Sequence, residues 1–227
     1  MLLLSLIRAV RVPSPQAREC SNMAETVVLV DVGTGNLHSV QHALQSLGVE
    51  VLRSNRPEEV NFATRLVLPG VGAFGNFMKG MDALGLTQPV KDAVERGVPL
   101  LGICVGMQAF FDVGLEMGVF PGLGLIPGKV LKFPDISSLK VPHTGWNQFR
   151  GMRPSALLDD LTEEPYAYFN HSYYCQPADA RDSLAETDYG IQYTSIVQKD
   201  NLFGVQFHPE KSQRTGLTLL ANFLKIK

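Results

Sequence analysis

Short apolar runs alternate with helical patterns along the first half of the chain. Residues 26–32 form a continuous apolar, β-branched run that stops at a glycine-rich turn, as a strand buried on both faces does. Residues 36–48 repeat apolar side chains at helical spacing, which predicts a helix. The same patterns predict the other elements of this half, namely strands at 50–53, 65–68 and 98–103 and helices at 86–96 and from 105 towards 112.

The pattern changes after about residue 128 to shorter strands separated by polar loops. Strands are predicted at 129–133, 166–174, 193–198 and 203–207, before a final amphipathic helix at 215–224. Strands that alternate with helices predict an α/β fold with a mostly parallel, flavodoxin-like central sheet flanked by helices. The later strands predict a smaller mixed β part. In such sheets ligands bind beyond the carboxyl ends of the strands.

Residues 1–23 differ in composition from the rest of the chain. They contain three arginines and a single acid, which is typical of a transit peptide, and residues 2–7 resemble a short signal-like segment. No folded periodicity is present, so we favour a disordered tail or an upstream start codon, with Met23 as the first residue. Without an internal repeat or linker, we expect one domain over residues 24–227.

Composition and charge exclude several classes of function. The 227 residues are 45% hydrophobic and 19% charged with a net charge of −2, which favours neither nucleic acid nor an anionic membrane as a ligand. No apolar run approaches the roughly 18 residues that span a bilayer. The cysteines are Cys20, Cys104 and Cys175, which form neither a disulfide framework nor a zinc motif.

We therefore expect no metal, no cofactor and a reducing compartment. That compartment is the cytoplasm, or a plastid if residues 1–23 are a transit peptide.

The most informative segment runs from a buried strand into Gly102-Ile103-Cys104-Val105-Gly106. This is the thiol version of the nucleophile elbow, in which glycines permit a sharp strand-to-helix turn. We expect a helix N-terminus to stabilise a Cys104 thiolate and the Val105 N–H to bind a developing oxyanion. The alternative is that Cys104 is a buried small hydrophobic residue, as most free cysteines are.

A nucleophilic thiol needs a base, and His208 is the best placed of the five histidines. It follows an apolar run directly and precedes Pro209, which fixes the backbone at the strand end. Glu210 lies two residues further on and can hydrogen bond to the far ring nitrogen, which fixes the tautomer. His-Pro-Glu alone is weak evidence, but together with the cysteine elbow it predicts a Cys-His-Glu triad.

At this point the sequence resembles a known family. The segments GICVGMQ at 102–108 and QFHPEKS at 206–212 resemble the class I (triad) glutamine amidotransferases. The resemblance extends over residues 27–224 and implies that family's α/β fold. Four more segments resemble one branch, the glutaminase subunits of imidazole glycerol phosphate synthase in histidine biosynthesis: DVGTGNL at 31–37, LPGVGAF at 68–74, PHTGWN at 142–147 and YFNHSYY at 168–174.

The resemblance implies a role for each matching position. Cys104 would attack the side-chain amide of L-glutamine, His208 would transfer the proton to the leaving ammonia, and Glu210 would orient His208. The backbone N–H of Val71 or its neighbour would supply a second oxyanion donor beside Val105. In this family that donor becomes aligned when the partner has bound its own substrate.

The resemblance also implies a glutamine pocket and a partner. Glu116 would pair with the α-ammonium group of glutamine, and the rest of the pocket would consist of Gly70, Gln108, Ser172 and Tyr173.

Two further positions match the interface with a cyclase subunit. Asn36 and Trp146 would face this (β/α)8 barrel, which makes imidazole glycerol phosphate and an aminoimidazole carboxamide ribotide from the delivered ammonia. We expect the chain to be nearly inactive without that partner.

Two other interpretations compete with this one. Residues 70–75 match G-x-G-x-x-G after a strand, as in dinucleotide-binding proteins. The expected acid at the end of the next strand is missing, because Glu95 falls in a predicted helix, and Gly80 and Gly85 interrupt the predicted phosphate-binding helix. A cysteine peptidase or other thiol hydrolase is the nearer rival, but the order His-x-Glu and the segment at 143–147 argue against it.

Overall fold

The computed structural model describes residues 26–137 and 139–227, so the predicted extension at 1–23 and Cys20 lie outside the described residues. Within them, eleven strands form one sheet and two more form a hairpin. The strands are β1 (Val27–Val30), β2 (Val51–Ser54), β3 (Leu66–Gly70), β4 (Leu100–Cys104), β5 (Phe111–Gly114), β6 (Phe120–Pro121), β7 (Ile126–Lys132), β8 (His143–Gln148), β9 (Tyr166–His171), β10 (Tyr173–Pro177), β11 (Ser183–Asp188), β12 (Gln192–Lys199) and β13 (Leu202–Val205).

The parallel half of the sheet has the order β2-β1-β3-β4-β13. All residues of β1, β3, β4 and β13 are buried, as expected for strands covered on both faces. The register pairs Gly70 with Cys104 and Val205 with Ile103. The carboxyl ends of β3, β4 and β13 therefore lie side by side, with Cys104 on the middle strand.

The sheet continues from β13 through antiparallel neighbours, in the order β12-β10-β7, and then to β5 and β6. Strand β5 pairs parallel with β7, and β11 pairs with the edge of β12. The hairpin β8-β9 is separate, and its register pairs His143 with His171. The predicted mostly parallel sheet with a smaller mixed β part is confirmed.

Six α-helices in the described residues pack on this framework, with α1 against α6 and α2 against α4. Aromatic rings fill much of the core, and Phe203 meets Phe223 of the last helix edge to face at 6.1 Å. The helices are α1 (Leu37–Ser46), α2 (Pro57–Asn61), α3 (Phe74–Ala83), α4 (Thr87–Glu95), α5 (Val105–Gln108) and α6 (Gln213–Lys225), with 3-10 turns at Ala156–Leu158, Ala180–Asp182 and Pro209–Lys211.

Several elements differ from the sequence prediction. Helix α3 forms although Gly80 was expected to interrupt it, because the helix lies against the end of β1 and a Cβ at residue 80 would be 2.9 Å from the Val32 carbonyl oxygen. The helix predicted from 105 towards 112 ends at Gln108, and Phe111 already pairs with β7. The strand predicted at 166–174 is interrupted at Ser172. Strands β5, β6, β8 and β11 and helix α2 were not predicted.

No helix in the described part of the chain is both long enough and apolar enough to cross a membrane.

Candidate active site

Cys104 ends β4 in a conformation that side chains rarely adopt, with φ 55° and ψ −112°. The turn is possible because the residues two positions before and two positions after Cys104, Gly102 and Gly106, are glycine. A Cβ on Gly106 would lie 1.8 Å from the Leu68 carbonyl oxygen, and a Cβ on Gly102 would lie 2.7 Å from the Met107 nitrogen. The chain thus holds the cysteine in a strained turn beside the backbone of β3, as a nucleophile elbow requires.

Helix α5, which starts at Val105, contains only four residues. The aligned peptide dipoles are therefore few, and the expected stabilisation of a Cys104 thiolate by a helix dipole is small. The stabilisation that remains comes from single N–H groups close to Cys104. The Val105 N–H lies at the first helical position, where no intrahelical partner exists, so it is free to bind an oxyanion.

His208 and Glu210 form a buried pair at the end of the next strand. The Nδ1 atom of His208 lies 3.1 Å from Glu210 Oε1, and the side chains are 7% and 1% exposed. The Pro209–Lys211 turn brings the two residues together. The His208 N–H donates to the Tyr168 carbonyl at 2.9 Å, and Ser212 Oγ donates to the His208 carbonyl at 2.7 Å. The imidazole is therefore held by its backbone as well as by the carboxylate.

The electrostatic environment keeps the imidazole of His208 protonated. Burial lowers its pKa, but the hydrogen bonds to Cys104 and Glu210 and the negative charges on both outweigh burial. The net effect raises the pKa of His208 from 6.5 to about 10. Cys104 and His208 line the same pocket, beyond the ends of the paired strands β4 and β13.

A pocket of about 260 Å³ opens above this pair. Of the residues singled out from the sequence, it is lined by Asn36, Val71, Cys104, Val105, Gln108, Glu116, Ser172, Tyr173 and His208. Glu210 lies behind His208. Gly70 does not line the pocket, because it is buried in β3 beside Cys104.

Glu116 is held on the far wall of the pocket. Its Oε2 accepts the backbone N–H of Phe74 at 2.6 Å, which places a carboxylate at the N-terminus of α3. Glu116 and Tyr173 line the same pocket, and burial, followed by the charge of Glu116, raises the pKa of Tyr173. The other carboxylate oxygen of Glu116, Oε1, is available to bind a cationic group.

Gln108 connects the pocket to the interior. Its Nε2 donates to the Tyr173 carbonyl at 3.1 Å and to Gln206 Oε1 at 3.2 Å. The Nε2 of Gln206 in turn lies 3.7 Å from Cys104 Sγ. Sequence reasoning gave Gln206 no role, although its position two residues before His208 was a signal.

Two histidines that the sequence analysis did not assign to the site lie next to it. His171 lines the pocket, and His143 stacks on Tyr189 at 3.8 Å. The Nδ1 of His171 donates to the Tyr173 carbonyl at 2.8 Å, so its Nε2 accepts from the Tyr193 hydroxyl at 3.3 Å. Burial lowers the pKa of His143 to about 4 and, against the Tyr173 hydrogen bond, that of His171 to about 3.

Both rings are thus neutral near pH 7, and neither is suited to hold a proton beside a thiolate.

The two predicted interface residues lie in different places. Asn36 lines the mouth of the pocket. Trp146 lies outside it on β8, is 47% exposed, and meets the ring of Tyr168 edge to face at 6.2 Å. Lys211, which was not predicted, lines the pocket and places its Nζ 5.7 Å from the same Tyr168 ring. Other unpredicted lining residues are Gly72, Pro142 and Asn170.

Known proteins resemble this chain over nearly all of its described length. Residues 28–226 match the family model "Glutamine amidotransferase class-I". The imidazole glycerol phosphate synthase subunit HisH of Salinibacter ruber is 48% identical, with 86% of this chain and 92% of that protein covered. The subunit HisH of Moorella thermoacetica is 46% identical, with 87% and 93% covered.

Solved structures show the same fold at lower identity. PurLQS of Thermotoga maritima superposes with a TM-score of 0.70 at 17% identity, covering 88% of this chain and 97% of that one. A crystal structure of a glutamine amidotransferase gives a TM-score of 0.69 at 18% identity, covering 88% and 99%. The elbow, the histidine–carboxylate pair and the pocket thus lie on a fold that these proteins share. The chain belongs to the class I glutamine amidotransferase family, among its HisH subunits of imidazole glycerol phosphate synthase.

Proposed function

We propose that the protein hydrolyses L-glutamine to L-glutamate and ammonia, and delivers the ammonia to the cyclase subunit of imidazole glycerol phosphate synthase in histidine biosynthesis. The observation that carries the proposal is Cys104 in a strained elbow next to His208, which Glu210 backs at 3.1 Å, at the base of a pocket. Residues 24–227 act as one catalytic domain, and the eleven-stranded sheet that contains both β1 and β13 supports this.

Glutamine binds with its α-ammonium group on Glu116 and its side-chain amide over Cys104. The carboxylate of Glu116 is already oriented by the Phe74 N–H, so one oxygen remains for the substrate. Both amide hydrogens of Gln108 are in use, which leaves its carbonyl oxygen for a substrate N–H. The backbone of Ser172 and Tyr173 closes this side, next to buried Gly70.

The reaction proceeds through a γ-glutamyl thioester. The Cys104 thiolate attacks the side-chain carbonyl carbon of glutamine, and the N–H groups of Val105 and Val71 bind the oxyanion. Protonated His208 gives its proton to the leaving nitrogen, and the C–N bond breaks to release ammonia. Neutral His208 then takes a proton from water, which attacks the thioester and releases glutamate.

The raised pKa of His208 suits the first of these steps. An imidazole with a pKa of about 10 is protonated throughout the neutral range and can act as the acid without a preceding proton transfer from solvent. Glu210 holds the ring by its Nδ1, so Nε2 is the nitrogen that faces the sulfur.

The Val71 N–H gives the partner control over the reaction. Val71 follows β3 directly, is 36% exposed and lines the pocket. We assign it as the donor that aligns when the cyclase subunit has bound its own substrate. Asn36 at the pocket mouth and exposed Trp146 lie at the interface, where ammonia passes to the barrel without contact with bulk water.

Replacement of Cys104 tests the proposal most directly. In the complex with the cyclase subunit, Cys104→Ala abolishes glutamine-dependent formation of imidazole glycerol phosphate and leaves the ammonium-dependent reaction intact. Cys175→Ala is the matched control, because Cys175 is also a free buried cysteine but does not line the pocket. Glutamine-dependent turnover that survives in Cys104→Ala rules out this nucleophile.

A cytoplasmic location is part of the same proposal. The reduced thiols Cys104 and Cys175 support a reducing compartment. A reporter protein fused to residues 1–23 distinguishes the cytoplasm from a plastid.

A further inference from the structure

Gln206 is fully buried and lies between the nucleophile and the glutamine pocket. It follows β13 directly, and its backbone N–H donates to the Ser195 carbonyl of β12 at 2.9 Å. Because β13 pairs in register with β4, this position lies next to Cys104. The side chain then reaches the sulfur, with Nε2 at 3.7 Å from Sγ.

The hydrogen-bond pattern fixes which end of the Gln206 amide faces the sulfur. The Tyr173 carbonyl can only accept, so the nitrogen of the Gln108 amide must point towards it. The second hydrogen of that nitrogen is directed at Gln206 at 3.2 Å, so Gln206 must present its oxygen there. Its NH₂ group is left to face Cys104. The orientation thus follows from a single backbone acceptor and involves no free choice of amide flip.

We propose that Gln206 is a positioning residue for the nucleophile, which donates a hydrogen bond to the Cys104 sulfur and so holds and stabilises the attacking thiolate. This inference rests on the proposed function and adds a fourth side chain to the triad. Gln206 is buried and does not line the pocket, so it acts through the sulfur.

The surroundings of the sulfur explain why such a donor is needed. Cys104 is only 4% exposed, so water solvates a negative charge there poorly, and α5 is too short to replace water with a strong helix dipole. The ionisable groups that interact electrostatically with Cys104 are His208, Cys175 and Tyr193. Other ionisable groups line the same pocket, namely Glu116, His171, Tyr173 and Lys211. Burial, and only then the charge on Cys104, raises the pKa of Cys175 well above its ordinary value.

Cys175 thus stays a neutral thiol at pH 7, and Tyr193 stays a neutral phenol because burial likewise raises its pKa. His208 and Gln206 are therefore the described side chains that hydrogen bond to the sulfur and stabilise its charge.

The same contacts link substrate binding to the nucleophile. One amide hydrogen of Gln108 binds Gln206, and the other binds the Tyr173 carbonyl in the wall of the pocket. A glutamine molecule that binds the Gln108 carbonyl oxygen polarises both N–H groups, which strengthens the chain of hydrogen bonds towards the sulfur.

Two variants of Gln206 separate the donor from the shape of the side chain. Gln206→Glu keeps the shape and the acceptor for Gln108, but replaces the donor that faces sulfur by an oxygen. Gln206→Met has a similar length and can neither donate nor accept. Ser195→Ala is the control, since Ser195 is 0% exposed on the adjacent strand and its hydroxyl donates to the Ala185 carbonyl at 3.3 Å, away from Cys104.

The experiment measures, in the complex with the cyclase subunit, the rate of Cys104 alkylation by iodoacetamide from pH 5 to 10, with the site read by mass spectrometry. Both Gln206 variants should be alkylated about 10- to 100-fold more slowly at pH 7, which is the effect of losing one hydrogen bond to a charged group. The profile should move to higher pH. The kcat for glutamine should fall by a similar factor, while KM and the ammonium-dependent reaction stay near wild type.

Other outcomes overturn the inference, and they do so in distinguishable ways. Gln206 variants that alkylate at the wild-type rate show that the amide does not act on the sulfur. If Ser195→Ala loses alkylation rate to the same extent as the Gln206 variants, and the melting temperature falls in parallel, the role of Gln206 is purely structural. A wild-type complex that hydrolyses no glutamine and is not labelled at Cys104 removes the proposed function itself, whatever the variants do.

Discussion

Two histidines border the same pocket and have opposite electrostatic properties. His208 is 5% exposed and His171 is 6% exposed, so burial is nearly equal. The pKa of His208 is raised to about 10, whereas that of His171 is lowered to about 3. The difference comes from their partners. Glu210 and Cys104 can carry negative charge beside His208, whereas His171 meets a carbonyl and a phenol hydroxyl.

The comparison shows how one fold keeps a proton on the correct residue. Burial disfavours the charged imidazole in both cases, and only a negative partner reverses this effect. His171 also lies among the rings of Phe133, Phe169 and Tyr193, which offer no compensating charge. The triad histidine is thus the one with a carboxylate, although a second imidazole lines the same cavity.

Removal of each imidazole in turn should give the largest contrast. We expect His208→Ala to reduce glutamine-dependent kcat by about a million-fold, as for loss of a triad base in other hydrolases. His171→Gln should cost far less, because a neutral ring cannot supply the proton. Steady-state glutaminase assays of both complexes measure the contrast. Comparable losses in the two variants would mean that His171 takes part in proton transfer.

Removal of the Glu210 carboxylate should make the titration of His208 more like that of His171. We expect Glu210→Gln to lower glutamine-dependent kcat by about 10⁴-fold, because the ring loses its orientation and its counter-charge. The pKa of His208 should fall in the same variant. An NMR titration of the imidazole nitrogens follows the pKa, and Glu164→Gln serves as control at an exposed carboxylate that does not line the pocket. An unchanged His208 titration contradicts the comparison.

The lowered pKa of His171 should appear as acid sensitivity. The folded value of about 3 lies below the ordinary value of 6.5, so the neutral ring contributes stability above pH 6.5 that is lost as the pH falls towards 3. Between pH 7 and pH 4.5 this one group should reduce the free energy of unfolding by about 2 to 3 kcal/mol. His171→Gln should remove that part of the pH dependence in urea unfolding.

His208 should show the opposite sign. Its raised pKa contributes stability that is complete below pH 6.5 and disappears as the pH rises towards 10.

For His171, one outcome would contradict the assignment of a neutral buried ring. It is an unfolding free energy of His171→Gln that falls with acid as steeply as that of the wild type.

A change outside both histidine environments gives the smallest expected effect and a baseline. Trp146→Ala removes an exposed ring on β8 without touching the pocket. We expect the cyclase subunit to bind about tenfold more weakly, with unchanged titration of His208 and His171. Calorimetry measures the affinity. Wild-type affinity would remove Trp146 from the proposed interface.

The parts that sequence patterns predicted well are those set by local physics. Buried runs predicted β1, β3 and β4, and the elbow was visible because a sharp turn at Cys104 demands glycine at positions 102 and 106. The triad was readable as a set, since His208 and Glu210 lie in one short turn. The fold class is confirmed, whereas the roles assigned to individual site residues stay predictions.

The parts that were missed depend on contacts between distant segments. Helix α3 tolerates Gly80 because the end of β1 lies against it, which no local pattern reveals. The helix after Val105 ends early because β7 pairs with Phe111. Gln206 resembled an ordinary strand-end residue, and its contact with Cys104 arises only through the pairing of β13 with β4.

Because the backbone at Cys104 is strained, a substitution that removes the nucleophile can also increase the thermal stability of this chain. A residue other than glycine at φ 55° and ψ −112° costs about 1 to 3 kcal/mol of folding free energy. Cys104→Gly should therefore melt higher than Cys104→Ala, although both are inert. Selection for heat tolerance alone would favour the dead enzyme, so the cysteine persists only while a demand for nitrogen transfer opposes that drift.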